Sequence, residues 1–167
     1  IVDNCVFRNN RCESLSIYNT TERDSGNTED EHVVKNSLFV NNQATCIKLI
    51  EQSKRQINIY NCIFEGNEAI TAAESAAQGT IITGGTSGIT NIVNCIIRNN
   101  KNNVAADADW KNAIVSLHNS TVKLINSLVI NNSCAQLCIY AGGEIYNSTI
   151  ANNEGGIFGA EFASYIN

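Results

Sequence analysis

Apolar positions in this chain do not hold one period. They alternate for two or three residues, break at an asparagine and start again. An aliphatic residue stands two places before each such Asn, a Cys or Ser one place after it, an apolar residue at plus three and a second Asn at plus six. The unit is written six times, with first asparagines Asn4, Asn36, Asn61, Asn94, Asn126 and Asn147. The preceding aliphatics are Val2, Val34, Ile59, Ile92, Leu124 and Ile145, and Tyr165-Ile166-Asn167 reads as the opening of a seventh copy. Side chains on a strand alternate between its faces, so positions minus two, plus one and plus three cannot share one side of a straight strand. Asn must therefore be a bend, because it tolerates left-handed backbone angles better than other residues with a side chain. Stacked over successive coils, these asparagines can hydrogen-bond to one another in a ladder.

Segments 15–18, 46–50, 80–83, 114–117 and 137–140 supply a third apolar strand per unit. The first asparagines lie 20 to 33 positions apart, the spacing of a solenoid, propeller or array. A propeller blade needs roughly 40 residues, too many for the short copies. The reading is all-β: a right-handed parallel β-helix of about six to seven rungs, about 30 Å long at ~4.8 Å per rung.

Gly142-Gly143-Glu144-Ile145, together with Phe7 to Asn10, Phe39 to Asn42 and Phe64 to Asn67, resembles the Gly-Gly-x-Ile and Phe-x-x-Asn repeats of the polymorphic outer-membrane protein type. More loosely, the chain is similar to the pectin-lyase-like β-helix superfamily. It departs from the pattern where Ile97, Val129 and Ile150 replace Phe, and one clear Gly-Gly-x-Ile is present. The resemblance implies a β-helix. It leaves function open among adhesins, surface proteins and carbohydrate-active enzymes.

The 167 residues begin and end inside the repeat, so they are read as one segment, 1–167, of a longer array, uncapped at both ends. The absence of proline and a charged fraction of 16% suit continuous β-structure. A net charge of −5 argues against a nucleic-acid partner. No apolar run has membrane-spanning length, and no cofactor or metal motif appears. Cys5, Cys62 and Cys95 share their slot with Ser37, Ser127 and Ser148, as small side chains inside a tube would. Cys12, Cys46, Cys134 and Cys138 are the disulfide candidates. Sequons at Asn19, Asn119 and Asn131 permit glycosylation, whereas Asn147 is expected to be too enclosed. Cysteine content and fold together favour an extracellular or cell-surface setting.

Loops carry most of the chemistry on a rigid scaffold. Residues 20–31 form an acidic insertion with Glu22, Asp24, Glu29, Asp30 and Glu31, expected to be solvated. Residues 68–78 are alanine-rich and predict a short helix. Residues 101–112 hold Asp107, Asp109 and Trp110, a pair of carboxylates beside an aromatic that can grip a sugar ring. The trailing strand is expected to expose Lys48, Glu51, Ser116 and His118, with no cluster of Asp among them, and 84–88 is expected to be a glycine-rich turn. Two functional readings stand: a structural or adhesive rod, associating with itself or with flanking rungs, and a polysaccharide-binding or polysaccharide-degrading domain built on the 101–112 loop.

Overall fold

The computed structural model describes residues 1–19, 31–51, 56–69, 80–85, 89–102, 113–158 and 163–166. Every regular element among them is a β-strand. The strands form two sheets, of 13 and six strands, in which neighbours run parallel. The chain crosses the six-stranded sheet once per repeat and enters the larger sheet with both a leading and a trailing strand, laying each strand on its counterpart from the previous coil, as in a β-solenoid.

Leading strands β1 (Val2–Asp3), β4 (His32–Lys35), β7 (Gln56–Tyr60) and β11 (Ile89–Val93) end at the first Asn of a repeat. The second halves of β14 (Val115–Ile125) and β16 (Ser133–Tyr146) continue this row, and β19 (Ala163–Ile166) pairs beyond them. Middle strands β2 (Val6–Arg8), β5 (Leu38–Val40), β8 (Ile63–Glu65), β12 (Ile96–Arg98), β15 (Leu128–Ile130) and β17 (Thr149–Ala151) make the six-stranded sheet. Trailing strands β3 (Leu15–Asn19), β6 (Ile47–Glu51) and β10 (Ile82–Gly85) continue into the first half of β14 and the middle of β16.

The register puts like on like. Val34, Ile59, Ile92, Leu124 and Ile145 stack in one column. Phe7, Phe39, Phe64, Ile97, Val129 and Ile150 stack in a second, and Leu15, Ile47, Ile82, Val115 and Ile139 in a third. All three face inward and form one continuous core. Within it the rings of Phe7, Phe39 and Phe64 are stacked, with centroids 4.6 and 4.8 Å apart. That is the strand spacing of a parallel ladder, so the backbone imposes the ring geometry.

Between leading and middle strands the backbone turns through one residue at positive φ: Asn4, Asn36, Asn61, Asn94, Asn126 and Asn147, between 44° and 54°. The expected corner asparagines are thus found, apart from Asn167, which lies outside the described residues. A second corner follows each middle strand at Asn9, Asn41, Gly66, Asn99, Asn131 and Asn152, all at positive φ. The sequence repeat alone does not mark these asparagines as bends. Gly66, at φ 64°, fills the place where the other copies use Asn, and a Cβ there would meet only the end of the Asn41 side chain at 2.6 Å. Gly66→Asn should therefore stay within about 1 kcal/mol of the parent, whereas Gly66→Val should cost about 2 kcal/mol or more, because a β-branched residue is strained in that region. Thermal unfolding of the two variants checks the contrast.

Two local expectations are corrected. Glu68 and Ala69, the start of the anticipated helix, form strand β9 (Glu68–Ala69) and pair with β13 (Lys101–Asn102). Pairing with a preformed neighbour outweighs the helix propensity of those two residues; 70–79 lie outside the described residues. Of the expected turn 84–88, Gly84 and Gly85 instead complete β10 and pair with Leu117 and His118, and 86–88 lie outside the described residues. A side chain at Gly143 would place its Cβ 1.9 Å from the Val122 carbonyl oxygen, so this repeat glycine marks a close approach of two backbones.

Candidate functional site

Three polar columns run along the coils, and each is built from one slot of the repeat. The innermost is the second asparagine, Asn10, Asn42, Asn67, Asn100, Asn132 and Asn153. It follows the second corner, where the left-handed residue swings the next side chain back into the tube. Asn42, Asn67, Asn100 and Asn132 are at most 1% exposed. From Asn10 to Asn132, each Nδ2 donates to the Oδ1 of the asparagine one coil later at 2.9 Å. The backbone N–H of the same residue donates to that same oxygen at 2.9 to 3.0 Å. The remaining Nδ2 hydrogen goes to a middle-strand carbonyl one coil earlier: Phe7, Phe39, Phe64, Ile97 or Val129, at 2.9 to 3.1 Å. A buried amide with both donors and its oxygen engaged avoids the desolvation cost that makes buried polar groups rare.

The second column is the Cys/Ser slot. Ser37 Oγ donates to the Lys35 carbonyl at 2.7 Å and accepts the Cys5 N–H at 3.1 Å. Ser127 and Ser148 repeat the pattern, donating to Ile125 and Tyr146 at 2.8 Å. Cys62 and Cys95 do the same with sulfur, donating to Tyr60 and Val93 at 3.3 Å. The slot selects a short side chain carrying one hydrogen to donate, which is why Cys and Ser interchange. Cys62→Ser should consequently change stability by less than about 1 kcal/mol, while Cys62→Val, which loses the donor and adds a branching methyl, should cost about 1 to 3 kcal/mol. Chemical denaturation of both variants shows whether the slot tolerates a side chain that keeps the donor and rejects one that lacks it.

The third column is the corner asparagines themselves, which are exposed. Asn61 Nδ2 donates to Asn36 Oδ1 at 3.2 Å, Asn94 to Asn61 at 3.3 Å and Asn147 to Asn126 at 2.7 Å. The anticipated ladder of first asparagines exists, but the better-made ladder is the buried one formed by the second. Asn147 is exposed rather than enclosed, as is Asn131, since a left-handed corner points its side chain outward.

Cys12 is exposed, Cys46 is fully buried and Cys134 is 6% exposed. Cys12 and Cys46 are free thiols, Cys134 donates to the Glu154 carbonyl at 3.1 Å, and the side chain of Cys138 lies outside the described residues. Burial pushes the Cys46 thiol well above its ordinary pKa. A hydrogen bond with Cys62, reinforced by burial, does the same to Cys95. Since the thiolate is the reactive form, a water-soluble thiol reagent should modify Cys12 in the native protein and reach Cys46 and Cys95 only after unfolding. Mass mapping of the labelled cysteines reads this out.

Asp107, Asp109 and Trp110 lie outside the described residues, as do most of the acidic insertion and the side chains of Asn19, Asn119, Glu51 and His118. Lys48 is half-buried and pairs with Glu13 at 2.8 Å. Ser116, expected to be exposed, is buried. Among the described residues, no three His, Cys, Asp or Glu side chains are grouped to hold a metal ion, and no helix is long and apolar enough to cross a membrane. Comparison with protein families, with curated proteins and with solved structures finds no match for this chain.

Proposed function

We propose that this chain is part of a right-handed parallel β-helix of about six to seven rungs that serves as an extracellular or cell-surface rod, structural or adhesive in role. Right-handed connection is the rule where parallel strands of one sheet are joined by crossovers. The observation that carries the proposal is the buried asparagine column, in which each coil's amide is satisfied by its neighbours without a break from Asn10 to Asn153. A solenoid's stability is a sum of repeat and neighbour terms, so such a column stiffens the molecule along its axis. The Phe-x-x-Asn pattern, whose Phe stacks inside and whose Asn forms that column, supports kinship with the polymorphic outer-membrane protein repeats.

Two measurements test the role. In single-molecule extension along the axis, a load-bearing rod should resist and then release coil by coil; extension at negligible force would sink the idea. A panel of soluble polysaccharides should be neither cleaved nor bound saturably, and turnover of any of them would replace the rod with the enzyme reading. A surface location predicts that a membrane-impermeant thiol reagent labels Cys12 on intact source cells, and protection of Cys12 there would count against it.

A further inference from the structure

The middle strands have three residues each, and only the central one faces the core. The two outer columns point away from the tube, and they are unusually apolar for an outward face. One column is Val6, Leu38, Ile63, Ile96, Leu128 and Thr149, and the other is Arg8, Val40, Glu65, Arg98, Ile130 and Ala151. Val6 is 63% exposed, and the aliphatic residues from Leu38 to Ile130 are half-buried. At the middle of the face the two charges sit on adjacent strands, with Arg98 Nη2 2.8 Å from Glu65 Oε2, while Arg98 Nε has no acceptor.

We infer that this face pairs with the same face of a second copy, the two solenoid axes running antiparallel. The argument is the symmetry of the charge pattern. A two-fold axis in the interface, parallel to the strands and passing between β8 and β12, keeps each column opposite itself and reverses the order of coils. It sets Leu38 over Leu128 of the other copy, Val40 over Ile130, and Ile63 over Ile96. Glu65 then faces the other copy's Arg98 on both sides, and four charges alternate in sign at the centre. The parallel arrangement instead exchanges the two columns, laying Ile63 on Glu65 and Ile96 on Arg98, and buries both charges against aliphatic side chains. The face is therefore self-complementary in one orientation only. Flat sheets of this kind pack about 10 Å apart.

Six strands of three residues cover about 30 by 10 Å, or roughly 300 Å² per partner. A stable interface takes about 800 Å², so the pairing is weak and reversible, with a Kd between about 1 µM and 1 mM. It uses the side of the tube and does not depend on the mechanical role proposed above.

Sedimentation velocity over a concentration series tests it, with circular dichroism establishing that each variant is folded. The parent chain should show a reversible monomer–dimer equilibrium. Glu65→Arg should weaken it at least tenfold, since like charges then meet across the two-fold axis. The double variant Glu65→Arg with Arg98→Glu restores alternation and should return the Kd to within about threefold of the parent. A parent chain that stays monomeric at millimolar concentration overturns the inference, as does a folded double variant that dimerises no better than the single one. Should Glu65→Arg fail to fold, Leu38→Glu with Leu128→Lys makes the same test: each substitution alone weakens pairing and the pair restores it.

Discussion

Replacing Asn100 with aspartate, a change of one atom, should remove about 3 to 5 kcal/mol of stability near neutral pH. Asn100 Nδ2 gives one hydrogen to the Phe64 carbonyl at 3.0 Å and one to Asn132 Oδ1 at 2.9 Å. A carboxylate turns both contacts into oxygen facing oxygen in a site that is 1% exposed, and an uncompensated buried charge costs about that much. The sign of the pH dependence follows. Burial and the facing oxygens raise the folded-state pKa of the introduced carboxyl above its unfolded value, so the folded state holds the proton more tightly. The loss is largest above the folded pKa and shrinks as pH falls toward the unfolded value near 4. Asn100→Ala removes the acceptor of Asn67 N–H and Nδ2–H and the donor to Phe64, and should cost about 4 kcal/mol with no such dependence. Asn99→Gly, at the exposed corner beside it, keeps the left-handed backbone and should change stability by less than about 1 kcal/mol. Urea titrations at several pH values give all three numbers. A penalty for Asn100→Asp equal to that of Asn99→Gly would mean that the column is decorative.

Phe64→Ala should lose about 3 to 5 kcal/mol. Its ring is fully buried, stacks on Phe39 at 4.8 Å and is followed in the column by Ile97. The coils above and below are fixed by backbone hydrogen bonds at the corners, such as Asn61 N–H to the Val93 carbonyl at 3.0 Å. The space left by the ring cannot easily collapse, and that places the cost at the upper end. Phe64→Ile, the residue at this place one coil later, keeps most of the volume and should cost less than half as much. Comparing midpoints at constant slope separates this loss from any change in the unfolded chain.

The sequence showed the corner asparagines and three apolar columns because both follow from local rules. A left-handed bend has few tolerant residues, and a side chain's face follows from its parity between bends. The second corner was harder to read. Two asparagines stand together there, and nothing in the pair Asn99-Asn100 tells which one turns the chain and which turns inward. Once both corners are placed, the parity of Phe64 and Asn67 falls into line. Asn147 departs from its expected enclosure for the same reason, since exposure depends on which side of a bend a residue leaves. Glu68 and Ala69 show the other limit, a helix-favouring composition overruled by a strand waiting one coil away. For Asp107, Asp109 and Trp110, spacing alone suggested sugar contact, and no described element passes through them.

The amides of the inner column all lie the same way round, the oxygen toward the earlier coil and one Nδ2 hydrogen toward the later one, while the second hydrogen returns to a carbonyl of the earlier coil. Their small dipoles add along the axis in the way that peptide dipoles add along a helix. The column therefore has an electrical direction, slightly negative toward Asn10 and slightly positive toward Asn153, and no charged side chain is buried beside it among the described residues.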